Sequence, residues 1–184
     1  MKTKQIGIIA LKFLVVFSVL CGIIYPSLLT GIAQKAFPAE AQGSLIVVDN
    51  RIYGSALLGQ NFTEDKYLWG RPMLQGKASN LSPASAKFQR MVEQRVKQMR
   101  EANPQAKTNK IPVDLVTTSG SGVDPHISVA AANYQIPRLM SARHMTEQEI
   151  QKIIDQYTTK RIYGILGEDI VNVLEVNLAL DKVK

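Results

Sequence analysis

The start of the chain is almost entirely apolar. No charged side chain occurs in the 17 positions from Phe13 to Leu29, and the uncharged stretch continues to Gln34. At 1.5 Å per residue, a helix from Ile6 to Ala33 is roughly 40 Å long, which exceeds the roughly 30 Å hydrocarbon core of a bilayer. The pattern predicts one transmembrane helix within residues 1–34, which Pro26 bends in its last turn.

A cleaved signal peptide is the alternative interpretation of this segment. Lys2 and Lys4 form a basic start, and Ala39-Glu40-Ala41 has the A-x-A form of a cleavage site. The apolar run is nevertheless longer than the usual 7–15 residues of a signal peptide, and the candidate cleavage site begins ten residues beyond Leu29. We therefore expect the helix to be retained as a membrane anchor.

Residues 44–184 carry the shorter patterns of a folded domain, behind a linker over residues 35–43. The alternation of apolar residues predicts a hairpin with strands Ser44–Val48 and Arg51–Leu58, joined by a turn at Asp49-Asn50. Because helical patterns follow further along the chain, we expect an α+β soluble domain anchored by one N-terminal transmembrane helix.

The remaining elements are predicted from helical spacing and from capping residues. In chain order they are an irregular segment over Gly59–Ala78, a helix from Ser82-Pro83 to Asn103, a strand over Ile111–Val116, a loop over Thr117–Gly122, a helix from Ser128 that Pro137 interrupts, a helix with a Thr146/Glu149 capping box, and a strand over Val171–Leu180.

Charge sets the expected orientation and narrows the class of partner. Lys2, Lys4 and Lys12 precede the apolar run, so we expect a cytoplasmic N-terminus and an extracytoplasmic C-terminal domain at the cell (inner) membrane. The chain after the run carries 19 basic and 15 acidic residues with no basic run, which makes a nucleic-acid partner a poor hypothesis. Cys21, the only cysteine, lies within the predicted span, so the domain has no disulfide.

Candidate chemistry is concentrated between residues 114 and 128. The chain has only two histidines, His126 and His144, and neither belongs to an H-E-x-x-H motif, so no metal site is predicted. A hydrolase triad could be assembled from Ser119 or Ser121 with Asp124 and His126, but the G-x-S-x-G elbow is missing. Capping within the domain and contact with a partner are the other two interpretations of this loop.

Several segments resemble a known family. Pro112–Ser128 (PVDLVTTSGSGVDPHIS) looks like the signature of the C subunit of the Kdp-type potassium-transporting P-type ATPase, and Gly54–Phe62 resembles its GSxLxGQxF segment. Tyr134–Arg138 and Val171–Asp181 match two more of its blocks, and Tyr25-Pro26 agrees as well. Two departures are Tyr67–Met73, where the family usually has Tyr-Phe-x-x-Arg-Pro-Ser, and a shortened glycine-rich insertion at Gly76–Asn80.

This resemblance implies an accessory subunit, not itself an enzyme, of a pump that imports potassium at the expense of ATP. The implied partners are a potassium-binding channel-like subunit, an ATP-hydrolysing P-type subunit and a small stabilising subunit. ATP and potassium would act mainly on those partners, since this chain lacks the phosphorylation sequence Asp-Lys-Thr-Gly-Thr. A membrane-tethered hydrolase and a free-standing extracytoplasmic binding module are the rival hypotheses.

The resemblance also implies roles for individual residues. The family's C subunit is described as a catalytic chaperone that raises the ATP affinity of the hydrolysing subunit, with a glutamine matching Gln135 as the suggested nucleotide contact. An extracytoplasmic domain could not touch cytoplasmic ATP, so we expect the effect to be indirect. Ser119, Ser121, Asp124 and His126 are instead our candidates for the interface with the potassium-binding subunit.

Overall fold

A computed structural model of the chain describes residues 3–74, 76–106 and 108–182. It divides into two compact units, the first ending at Ser55 and the second beginning at Ala56. Lys2, one of the three lysines on which the expected orientation depends, lies outside the described residues. The predicted domain limits at residues 34 and 43 stay predictions.

The first unit begins with a continuous helix over Thr3–Ala36. It consists of α1 (Thr3–Val19), a π turn (Leu20–Ile24) and α2 (Tyr25–Ala36). Its most apolar 18-residue window has a mean hydropathy of 2.6 and is not buried against protein, so among the described residues it is the one helix suited to crossing a membrane. The π turn ends two residues before Pro26, which has no N–H, and membrane helices tolerate such a local widening.

A short helix and a hairpin complete the first unit. Part of the predicted linker is helical, because Pro38 starts α3 (Pro38–Ala41) with a backbone angle suited to a first helical turn. The predicted hairpin is present as β1 (Leu45–Val48) and β2 (Arg51–Ser55), so its second strand ends three residues earlier than expected. Asp49 and Asn50 both have positive φ, as a two-residue type I′ turn requires.

The second unit combines five helices with a three-stranded antiparallel sheet of order β3-β5-β4 within the described residues. Its elements are α4 (Ala86–Ala102), β3 (His126–Ser128), α5 (Val129–Tyr134), α6 (Ile136–Arg143), α7 (Glu147–Gln156), β4 (Thr158–Thr159), β5 (Ile170–Asn172) and α8 (Val173–Lys182). The predicted break at Pro137 separates α5 from α6, and the Thr146/Glu149 capping box is present at α7.

Three predicted elements differ in the structure. The helix expected at Ser82-Pro83 begins at Ala86, because Ser82 forms a turn and the Ser85 hydroxyl caps the helix by accepting the Phe88 N–H. The strand predicted over Ile111–Val116 is wrong. That segment contains a 3₁₀ turn at Val113–Leu115, in which the Leu115 N–H donates to the Pro112 carbonyl at 3.1 Å.

The predicted strand over Val171–Leu180 is also wrong beyond its first two residues. Asn172 ends β5, and its side-chain oxygen accepts the Glu175 N–H at 3.2 Å, which caps the start of α8. The buried positions Val173, Val176 and Leu180 recur at helical spacing, and this pattern outweighs the apparent alternation of the sequence.

The hydrophobic core of the second unit lies between β5, α8 and helices α5 to α7. Its largest fully buried apolar side chains are Leu68, Ile127, Leu139, Ile150, Ile154, Val171, Val176 and Leu180. Leu68 is the exception among them, because it comes from the irregular segment between residues 59 and 78 and not from a helix or strand. That segment therefore has to bring its backbone into the core.

Side-chain amides satisfy the backbone of this irregular segment where it enters the core. Asn177 accepts the Leu68 N–H at 2.7 Å and donates to the Leu68 carbonyl at 2.9 Å. Gln135 does the same for Trp69, at 2.9 and 3.0 Å. Each amide thus replaces the partner strand that a buried extended backbone normally needs. We call residues 65–69, with these partners, the clamped segment.

Two arginines complete the contacts of the clamped segment. Arg138 donates to the Asp65 carbonyl and, at 3.0 Å, to the Tyr67 carbonyl, while its guanidinium lies 4.3 Å from the centre of the Trp69 ring. Arg143 donates to the Lys66 and Leu180 carbonyls. Burial lowers the pKa of Arg138 to about 10, so the guanidinium stays protonated at neutral pH.

We predict that Gln135→Ala destabilises the protein strongly. The substitution removes four hydrogen bonds, to the Trp69 N–H and carbonyl, the Ala131 carbonyl and the Arg138 guanidinium, and it leaves buried polar groups unpaired. We expect a loss of about 3 kcal/mol in the free energy of unfolding, which corresponds to roughly 6–12 °C in the melting temperature of the detergent-solubilised chain.

Gln148→Ala is the matched control for this prediction. Gln148 is an exposed glutamine on α7, and its truncation should change stability by less than about 0.5 kcal/mol. Equal melting temperatures for the two variants would show that the Gln135 amide is not a structural requirement.

Candidate functional site

The two candidate serines shape the loop in which they lie. The buried Ser119 hydroxyl accepts the Gly122 N–H at 2.9 Å and the Asp124 N–H at 3.4 Å. The Ser121 hydroxyl accepts the Val123 N–H at 3.2 Å, and the two serine oxygens are 3.4 Å apart. Both side chains therefore pair with backbone amides that would otherwise lack partners in this turn.

Close backbone contacts hold the loop in place. Gly122 has φ +76°, and a Cβ added there would lie 2.4 Å from the backbone carbon of Lys77. On the other side, the Gly59 N–H donates to the Val123 carbonyl at 2.8 Å, and a Cβ on Gly59 would lie 2.7 Å from the Asp124 carbonyl oxygen. Glycine is required at both positions, since any side chain would displace the neighbouring backbone.

Asp124 and His126 are brought together at the end of the loop. Asp124 Oδ1 accepts the His126 backbone N–H at 3.0 Å and lies 3.5 Å from His126 Nδ1. Asp124 Oδ2 lies 3.9 Å from an Arg71 guanidinium nitrogen. The Asp124 and His126 side chains are 33% and 28% exposed, so both are reachable from solvent although each has a partner in the domain.

Asp124 is paired with His126, but His126 is not paired with either serine. Within residues 3–74, 76–106 and 108–182, no hydrogen bond links His126 to Ser119 or Ser121. A serine hydrolase needs that bond, because the imidazole has to take the proton of the attacking hydroxyl. In this geometry the serine oxygens act as acceptors for the turn.

An acidic cleft of about 460 Å³ lies beside Asp124 and His126. Asp114, Glu168 and Asp169 also line it, and Arg71 is the arginine among the lining residues. The Asp114 carboxylate accepts the Ser128 N–H at 2.6 Å, which fixes the junction between β3 and α5. In the part of the chain that is described, no three His, Cys, Asp or Glu side chains are grouped so as to hold a metal ion.

Gln135 lies away from this cleft, in the core. It is 0% exposed, its oxygen accepts from Trp69 and Arg138, and its nitrogen donates to Trp69 and Ala131. A nucleotide could reach this amide only after the clamped segment had left its place, because no donor or acceptor on the side chain is free.

Tyr67–Met73, the segment that departs from the family pattern, contributes to both the clamped segment and the acidic cleft. Its first part, Tyr67–Trp69, belongs to the clamped segment, and Arg71 reaches Asp124 and the Thr118 carbonyl. Gln75 lies outside the described residues. Sequence reasoning did not single out Arg71, Arg138 or Asn177. For Asn177 the sequence offered no signal, because its alternation with apolar residues predicted a solvent-facing strand position.

Comparison with known proteins identifies relatives over nearly the whole chain. Residues 8–182 match the family model described as KdpC: K⁺-transporting ATPase, c chain. The potassium-transporting ATPase KdpC subunit of Clostridium perfringens is 51% identical over 90% of this chain and 91% of the relative. The proteins of that name from Clostridium botulinum (strain Alaska E43) and Serratia proteamaculans are 48% identical (94% of this chain, 93% of the relative) and 42% identical (95% and 97%).

The matched range includes the helix over Thr3–Ala36 except for its first five residues, as well as both structural units. It also includes the loop of Ser119 and Ser121, the acidic cleft and the clamped segment. With a family match of this extent and relatives above 40% identity, the chain belongs to the KdpC family, the family of K⁺-transporting ATPase c chains.

Proposed function

We propose that this protein is an accessory, non-catalytic subunit of an ATP-driven potassium import pump and is needed for assembly and stability of the complex. The observation that carries the proposal is the family match over residues 8–182, which includes both the membrane helix and the folded domain. Its partners would be the potassium-binding channel-like subunit, the ATP-hydrolysing subunit and a small stabilising subunit.

We further propose that any effect on ATP affinity is indirect. The burial of Gln135 and its four hydrogen bonds favour a structural role for this residue over a nucleotide contact. The lysines that precede the apolar run, Lys2, Lys4 and Lys12, favour a cytoplasmic N-terminus, which would place the domain outside the cytoplasm. Coupling to the nucleotide site would then run through the anchor or through contacts with other subunits.

For the interface, we propose the face around the acidic cleft. Ser119 and Ser121 would act by shaping the loop, while the partly exposed Asp124 and His126 would meet the potassium-binding subunit directly. A polar, partly exposed pair held in a fixed geometry is typical of the rim of a protein interface.

The proposed function is tested by purifying the tagged full-length chain from its native host in mild detergent. We expect the other pump subunits to co-purify, the isolated chain to hydrolyse no ATP, and a host lacking it to grow poorly at limiting potassium. An unrelated tagged single-pass protein serves as the control. Recovery of the chain alone would favour a free-standing binding module, and ester or peptide hydrolysis abolished by Ser121→Ala would favour a hydrolase.

Topology is tested with single cysteines at exposed lysines of the domain. In a Cys21→Ser background, Lys152→Cys and Lys182→Cys should react with a membrane-impermeant maleimide added outside the inner membrane. The Cys21→Ser parent is the control and should remain unlabelled. Labelling that appears only after the cytoplasmic side is opened would reverse the orientation and would make direct contact with ATP feasible.

The interface is tested with substitutions that preserve the loop. Asp124→Asn keeps an oxygen acceptor for the His126 N–H but removes the charge, and His126→Ala removes only the imidazole. We expect each to reduce the recovery of pump subunits several-fold while the melting temperature changes by less than about 3 °C.

Asp155→Asn, at an exposed site on α7, is the matched control for the loss of charge and should leave recovery unchanged. If recovery instead falls only in proportion to a falling melting temperature, Asp124 and His126 serve the fold and the interface lies elsewhere.

A further inference from the structure

A cluster of large apolar side chains projects from the second unit between β4 and β5. Ile162, Tyr163, Ile165 and Leu166 are 62%, 93%, 80% and 62% exposed. Single exposed apolar residues are common on soluble domains, but four within five residues form a patch that normally marks a contact surface. We call residues 162–166 the apolar tip.

The backbone of the apolar tip is closed on itself. Ile162 and Leu166 exchange both hydrogen bonds, with N···O distances of 2.9 and 3.0 Å. Between them, Tyr163 and Gly164 have positive φ, and the Gly164 N–H donates to the Arg161 carbonyl. Since the turn satisfies its own backbone, the four side chains are presented in a fixed arrangement, which lowers the entropy cost of binding.

The charges at the base of the tip are paired with each other. Lys160 lies 3.5 Å from Asp169, and Arg161 lies 2.5 Å from Glu168. Loops that insert into lipid usually carry unpaired basic residues that meet anionic headgroups. Here two acidic side chains stand beside the two basic ones, so the base has no net charge. An apolar centre with a balanced polar rim fits a protein surface better.

The tip is also continuous with the acidic cleft. Glu168 and Asp169, which pair with the basic residues at its base, line the same cleft as Asp124 and His126. The tip and the cleft therefore belong to one face of the second unit. A partner that covers the cleft would meet the tip at its margin.

We infer that the apolar tip docks into an uncharged apolar pocket on the potassium-binding subunit, the partner proposed for the adjoining cleft, with Tyr163 and Ile165 as its anchors. This inference rests on the proposed function, because it needs a partner subunit. Tyr163 is the most exposed large apolar residue of the tip, and buried aromatic anchors carry much of the binding energy at interfaces.

The contact is tested by photo-crosslinking in native membranes. Tyr163→Cys in the full chain, in a Cys21→Ser background, is labelled with benzophenone maleimide and irradiated. We expect a covalent adduct with the potassium-binding subunit, identified by mass spectrometry, and an adduct with a different subunit instead would contradict the inference. The same label at Lys152→Cys, on the exposed surface of α7, is the control and should give little adduct. An adduct with lipid alone would overturn the inference.

The energetic role is tested with the double variant Tyr163→Ser/Ile165→Ser. We expect at least about a tenfold loss in recovered pump subunits, and no drop in melting temperature, because these side chains add nothing to the core. Ile52→Ser removes an apolar side chain of β2 that is 61% exposed and should leave recovery unchanged. Equal losses for the double variant and Ile52→Ser would contradict a specific role of the tip.

The outcomes separate this inference from the proposed function. If the wild-type chain recovers no pump subunit, the proposed function fails. If the wild-type chain recovers them and the double variant does so equally well, the proposed function stands and the inference about the tip is wrong.

Discussion

The second unit depends on polar side chains that satisfy a backbone buried without a partner strand. Leu68 reaches full burial in a segment that has no regular secondary structure, and an unpaired peptide there would cost more than the leucine gains. Asn177 and Gln135 remove that cost by pairing with both polar groups of Leu68 and of Trp69. Asn177 belongs to α8 and Gln135 lies between α5 and α6, so the clamped segment fixes α8 relative to the junction of α5 and α6.

Polar groups of the same segment also surround a buried charge, the guanidinium of Arg138. Arg138 retains its proton, since its pKa of about 10 remains well above neutral pH. In place of water, its guanidinium contacts two backbone carbonyls, the Gln135 side-chain oxygen and the face of the Trp69 ring. Its Nε has no partner within the described residues. Removing these acceptors would leave a buried charge without compensation, which is strongly destabilising.

Sequence patterns were sufficient for several elements that one local signal decides. The apolar run gave the membrane helix, Asp49-Asn50 gave the hairpin turn, and Thr146 with Glu149 gave the start of α7. They failed where a long-range contact decides. Alternation predicted a strand over residues 171–180, but the buried Asn177 is explained only by the Leu68 peptide, 109 positions away in sequence.

The candidate site shows the same division between local and long-range information. Sequence placed Ser119, Ser121, Asp124 and His126 in one loop, and the structure does bring Asp124 to His126. The sequence could not show that the serine hydroxyls accept hydrogen bonds from backbone N–H groups of the turn. Nor could it show that Arg71 reaches Asp124, or that Glu168 and Asp169 line the same cleft. These contacts depend on how distant segments pack, which residue spacing does not encode.

An accessory domain can alter a distant nucleotide site only if it binds two states of the pump with different affinity. A flexible surface that adapts equally to both states would produce no coupling, however tightly it bound. The apolar tip is instead held by its own backbone hydrogen bonds, and the loop of Ser119 and Ser121 is held by the serine hydroxyls, which accept backbone N–H groups. The clamped segment in turn links α8 to the junction of α5 and α6. Rigid surfaces of this kind distinguish between partner conformations, because a partner that shifts by an ångström loses contacts that the domain cannot restore. Under the proposed topology, this rigidity is what would allow a domain outside the cytoplasm to influence ATP binding without touching the nucleotide.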